Sequence, residues 1–83
     1  MPAPDQVPLP YLSPGETGRV EGVGGGWGAA GRLAALGVLP GRKVTVVAND
    51  ARGPLVVAVG STRIAVGRGL AAKILVSRSP GKA

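Results

Sequence analysis

The sequence predicts a mainly β domain, a small closed barrel of five short strands with one short helix inserted after the first strand. Three observations predict it. Pro-Gly pairs at Pro14-Gly15 and Pro40-Gly41 each open a strand, apolar residues recur with period two between tight turns, and a Gly-rich interruption is followed by one stretch of helical spacing. Short strands joined by tight turns favour closure, because closure removes exposed edges.

In order along the chain, residues 1–11 carry four of the eight prolines and no periodic pattern, so they read as an extended, flexible arm, with the domain proper spanning 12–77. Ser13-Pro14-Gly15-Glu16 has the chemistry of a type II turn, with Pro second and Gly third. A strand over Thr17–Val23 follows, with Val20 on one face and Arg19 and Glu21 on the other, where they can pair. Gly24-Gly25-Gly26-Trp27-Gly28 breaks regularity. Helical spacing resumes over 29–36, where Leu33 and Leu36 lie three apart on one face, and Gly37 is the expected left-handed terminator.

Leu39-Pro40-Gly41-Arg42 repeats the Pro-Gly turn 26 residues after the first, and Lys43–Asn49 alternates with Val44, Val46 and Ala48 on one face. Two such units do not make a repeat protein. A cluster of turn formers from Asn49 to Pro54 leads into Leu55–Val59, and Gly60-Ser61 marks a two-residue hairpin before Thr62–Val66. Residues 67–72 read as a short helical turn, 73–77 as a last strand and 78–83 as a flexible tail.

Composition narrows the functions open to such a domain. Apolar residues make up 45% of the 83, yet there is no Phe, one Tyr (Tyr11) and one Trp (Trp27), so the core is aliphatic and leaves little room for a cofactor. No cysteine is present, which removes disulfides, thiolate metal sites and thiol redox chemistry, and fits a reducing compartment. The N-terminus shows no secretory pattern, and the longest apolar run, Leu55–Val59, is far short of the ~20 residues that cross a bilayer. A soluble cytoplasmic protein is expected. Net charge is +6, which raises nucleic acid as a partner, although seven of the ten cations are Arg in a Gly- and Ala-rich chain and so fit a plain compositional bias.

Three stretches carry a family resemblance. The segment from Leu12 to Val20, the run Arg32-Leu33-Ala34-Ala35-Leu36-Gly37-Val38-Leu39-Pro40-Gly41, and Gly67-Arg68-Gly69-Leu70-Ala71-Ala72-Lys73-Ile74 occur in the order and spacing of the FeoA family, with Gly53-Pro54-Leu55 opening the hairpin between them. The chain resembles that family over residues 12–77. The resemblance implies an SH3-like barrel acting beside FeoB, a bacterial inner-membrane permease for ferrous iron with a cytoplasmic GTP-binding domain, and it implies no catalysis. Similar domains end iron-dependent repressors, but this chain has no helix-turn-helix region, so a freestanding adaptor is expected.

Other chemistries find little support in the residues. The glycines at 24–26 and 28 lack both the Gly-x-x-x-x-Gly-Lys-Ser/Thr pattern and a following βαβ unit, so they read as a hinge rather than a phosphate cradle. The acids Asp5, Glu16, Glu21 and Asp50 are scattered and there is no His, so neither an iron site nor an acid/base pair is expected, and no cofactor is called for. Ser13, Ser61, Ser77 and Ser79 have no base to activate them.

Partner binding is what remains. Trp27 either plugs the helix onto the barrel or stands exposed as an anchor. Leu33 and Leu36 read first as core, while Arg32 and Leu36 stay candidates for the partner surface together with Trp27, because the inserted segment from Gly24 to Leu36 is the one element a barrel does not need for closure. Val47, Val56 and Leu75 lie on the second, apolar face of their strands and form a further candidate patch, for FeoB or for self-association. The rival reading is a basic barrel binding nucleic acid through outward residues such as Arg19 and Arg63, which two aromatics serve poorly. Contact with the membrane is expected only through the partner.

Overall fold

The structure, a computed structural model, describes residues 6–50 and 52–78. Along them run β1 (Gln6–Pro8), a 3-10 turn (Leu9–Tyr11), β2 (Thr17–Val23), α1 (Gly26–Ala35), β3 (Lys43–Asn49), β4 (Leu55–Val59), β5 (Thr62–Val66), α2 (Arg68–Ala71) and β6 (Ile74–Arg78). The strands form one antiparallel sheet in the order β1-β6-β2-β3-β4-β5. The sheet therefore has six strands rather than the expected five, and among the described residues it does not close, since β1 and β5 are both free edges. Closure would need β1 to pair on its outer side. It has three residues, and the last, Pro8, has no N–H to offer.

The additional strand comes from the segment read as an arm. Gln6, Val7 and Pro8 pair with Ser77, Val76 and Leu75, and Leu9 is buried at 1% exposure. The N–H of Leu12 donates to the Leu9 carbonyl at 3.0 Å, which carries the chain round into the core. Residues 1–5 of the expected arm and 79–83 of the expected tail lie outside the described residues, and Arg78 belongs to β6 rather than to the tail.

Turn chemistry is where the local sequence fixes the path. Gly15 and Gly41 both have φ of 93°, with Glu16 N–H donating to Ser13 at 2.9 Å and Arg42 N–H donating to Leu39 at 3.0 Å. That geometry excludes a Cβ at low cost, which is the reason for Pro-Gly at each place. At the β4–β5 hairpin the positive φ, 62°, falls on Gly60 alone, the first of the two loop residues, as in a type II′ turn.

Two bulges correct the alternation read from sequence. Register shifts between Val46 and Ala48, so Val47 is left unpaired and Asn49, not Ala48, comes level with buried Leu55. A second shift between Val20 and Gly22 leaves Glu21 outside the pairing and sets Val23 opposite Ile74, packed against the core. The core itself is aliphatic: Leu12, Val20, Val44, Val57, Ile74 and Val76 are all at 1% exposure or less. Gly18 sits where β2 runs under Leu12, and a Cβ there would meet Leu12 Cδ1 and Val76 Cβ at 3.1 Å.

Candidate functional site

Helix α1 begins three residues before the expected start at 29 and ends one before the expected end at 36, so Trp27 and Gly28 are inside it. Its N-terminus has no side-chain cap; Gly25 and Gly26, at φ of 85° and 80°, turn the chain in, and Gly24 N–H donates to the Lys73 carbonyl at 2.7 Å. The C-terminus is a Schellman closure: Val38 N–H donates to Leu33 at 2.8 Å, Gly37 N–H donates to Ala34 at 3.0 Å, and Gly37 takes φ of 89°. Leu33 and Val38, both buried, make the apolar contact that accompanies such a closure and anchor the helix to the sheet. Each stabilises by roughly 1.5–3 kcal/mol on burial.

Anchoring through Ala29 and Leu33 leaves the remaining helix surface outward, and Trp27 is on it at 95% exposure. The expected alternative, a plug between helix and barrel, is therefore corrected. At 100° per residue Trp27 points well away from the Ala29/Leu33 face, and the small residues that follow it give its ring nothing to bury against. Trp27, Ala30, Gly31 and Ala34 of α1 line an apolar groove together with Val23 at the end of β2 and Val38, Leu39 and Pro40 of the loop that follows the helix. Leu39, in the groove lining, is itself 45% exposed.

The other candidates fall elsewhere. Arg32 is exposed on the side of α1 away from the groove. Leu36 is 44% exposed at the C-cap, where the helical turn has ended, so the expectation that it joins Leu33 in the core is also corrected. Val47 is 36% exposed on its bulge, next to half-buried Val56, whose strand partner is Ala48. Leu75 is half-buried between Pro8 and Gly22, toward the far end of β2 from the Val47 bulge. Val47 and Val56 thus share a neighbourhood that Leu75 does not. The sequence reading did not pick out Ala30, Gly31, Ala34, Leu39 and Pro40 as groove residues. For Ala30, Gly31 and Ala34 the signal, small side chains three, four and seven residues on from Trp27, is legible only once the helix is known to start at Gly26.

The described carboxylates are separately engaged or apart. Glu16 Oε1 accepts from Ser13 N–H at 2.6 Å, while Glu21 Oε2 accepts from Ser77 Oγ at 2.7 Å and pairs with Arg19 Nε at 3.5 Å. Among the described residues no three His, Cys, Asp or Glu side chains come together. No helix among them is long and apolar enough to cross a membrane.

These features define a class: a small SH3-like β domain whose inserted helix presents an aromatic side chain over an apolar groove. Comparison with known proteins then identifies the family. The FeoA domain model matches residues 7–78. A Methanocaldococcus jannaschii protein named for Fe(2+) transport, as transport protein A, is 39% identical over 69 residues, covering 83% of each chain. The crystal structure of an iron uptake regulatory protein, FeoA, superposes with a TM-score of 0.81 at 36% identity, covering 88% of this chain and 96% of that one. FeoA of Stenotrophomonas maltophilia, a procaryotic SH3 domain protein solved with zinc, superposes at 0.71 with 32% identity, covering 83% and 87%. The chain belongs to the FeoA family, a family of ferrous iron transport.

Proposed function

We propose that this chain is an accessory protein of ferrous iron uptake that docks on the cytoplasmic part of a FeoB-type permease through the groove beside α1, and that it carries out no reaction of its own. The observation that carries this reading is Trp27: a fully exposed indole beside apolar groove walls, on an element the sheet does not need, is a poor choice for a protein with no partner. Family membership supplies the pathway, and the relatives' names supply its substrate, Fe(2+). With no His or Cys in the chain, the protein acts on iron movement through the permease rather than by holding the metal. Such a partner places it in the cytoplasm, at the inner membrane only while docked.

Binding of Trp27→Ala to detergent-solubilised permease from the same cells tests this. The expected loss is about 2 kcal/mol, or roughly thirtyfold in affinity, as for a central aromatic anchor. Wild-type affinity in a folded Trp27→Ala protein would move the docking site off α1.

A further inference from the structure

Among the described residues strand β5 is a free edge, and its exposed backbone is flanked by cations. We propose that this edge receives an extended acidic segment of another protein, which adds to the sheet as a seventh strand next to β5. None of the residues lining the groove beside α1 lies on β5, so this inference stands or falls without the docking reading above.

The hairpin geometry says which groups are offered. With a two-residue loop, Val59 and Thr62 are a hydrogen-bonded pair, and alternation makes Val57–Ile64 and Leu55–Val66 bonded as well. Arg63 and Ala65, opposite Ala58 and Val56, then turn their N–H and C=O groups away from β4. No turn or loop backbone among the described residues takes them up. An incoming strand would find two donors and two acceptors in register, the basis of recognition by strand addition.

Charge selects the occupant. The Arg63 side chain lies on the outer face of the sheet, and Arg42 and Lys43 lie at the same end. Lys43 comes level with the Gly60 turn by register, and Arg42 Nη2 is within 3.6 Å of where a Gly60 Cβ would be. None of the three makes an ion pair or side-chain hydrogen bond among the described residues, while Glu16 and Glu21 are engaged elsewhere. A second copy of this chain would bring +6 against +6, so pairing of like edges is opposed. An acidic side chain opposite Arg63 gains a favourable cross-strand pair.

The test uses the full chain and the acetylated, amidated peptide Val-Glu-Val-Glu-Val-Glu-Val, with its Val-Lys counterpart as control, read by 1H–15N NMR and amide hydrogen exchange. The Glu peptide is expected to shift the Arg63 and Ala65 amides and slow their exchange about tenfold, with the Lys peptide inert. Arg63→Glu is expected to weaken binding about tenfold, through the lost cross-strand pair together with the like charges it sets opposite one another. Ala65→Pro, which replaces an outward N–H with a ring carbon and breaks no bond to β4, is expected to abolish binding in a protein that keeps its amide dispersion. The proposal is overturned by absence of saturable binding at millimolar peptide, by equal binding of the Lys peptide, by shifts confined to α1, or by wild-type binding of the two variants. A single-stranded oligonucleotide that displaces the peptide from wild type yet binds Ala65→Pro unchanged would instead assign the cations to phosphate.

Discussion

Arg68 Nη2 donates to Asn49 Oδ1 at 2.6 Å, and through this bond the end of β3 is tied to α2. Asn49 uses its amide on the other side as well: Nδ2 donates to the carbonyls of Pro10 at 2.9 Å and Leu12 at 2.8 Å. Arg68 adds a bond to the Asp50 carbonyl. One side chain thus satisfies two carbonyls of the segment leading into β2 and orients an arginine from the far end of the chain. The bulge at Val47 is what makes it possible, because without that shift Ala48 would take the place of Asn49. Asn49→Ala takes the side-chain donor from two carbonyls and leaves the Arg68 guanidinium with the Asp50 carbonyl alone, which is expected to cost about 2–3 kcal/mol. In a domain of this size that lowers Tm by roughly 10–20 °C, measurable by circular dichroism.

Leu9→Ala is expected to cost about 2–5 kcal/mol, the range for a fully buried leucine. Urea unfolding decides it. A loss within 0.5 kcal/mol, the usual range for a surface position, would return residues 6–11 to the status of an arm.

Those two residues also show what the sequence could reveal. Pro14-Gly15, Pro40-Gly41, Gly37 and Gly60-Ser61 each demand one backbone conformation, so their turns and the strands beside them were legible from local chemistry, and each has the positive φ that chemistry implies. Asn49 was legible only as a turn former, because a bulge changes the facing of every later residue without a local signature. Gln6–Tyr11 was hidden by its prolines: the pairing that holds β1 is with β6, some seventy residues on, and no local pattern reports it. Trp27 flanked by glycine was compatible with plug or anchor, and its environment came from the point at which the helix starts.

Gly18→Val is expected to destabilise by about 1–3 kcal/mol, since the added carbons meet Leu12 and Val76 at a separation already tight for a single Cβ. Thermal melts of Gly18→Val and Gly22→Val give the contrast. Gly22 has open space at its Cβ and is expected to tolerate the change.

Oligonucleotide binding is expected to be weak and to fall steeply with salt, as when scattered arginines neutralise phosphates without reading bases. Fluorescence anisotropy from 50 to 200 mM salt checks it, and sequence-specific nanomolar binding at the upper end would favour the nucleic-acid reading.

The helix glycines separate stability from docking. Gly28 and Gly31 are both inside α1, both have open space where a Cβ would go, and neither has positive φ, so neither is required by packing or by conformation. Gly28→Ala and Gly31→Ala are each expected to stabilise by about 0.5–1 kcal/mol, the ordinary gain of alanine over glycine in a helix. Only Gly31 lines the groove. Its added methyl would project into the space between Trp27 and the Leu39-Pro40 wall, so Gly31→Ala is expected to lower affinity for the permease several-fold, within the range of a poorly accommodated methyl group. Gly28→Ala, outside the groove, is expected to bind as wild type. Urea unfolding and permease binding measured on both variants give a fourfold comparison. If both variants bind normally while both gain stability, the groove is not where the partner sits, and the apolar neighbourhood of Val47 and Val56 becomes the surface to test next.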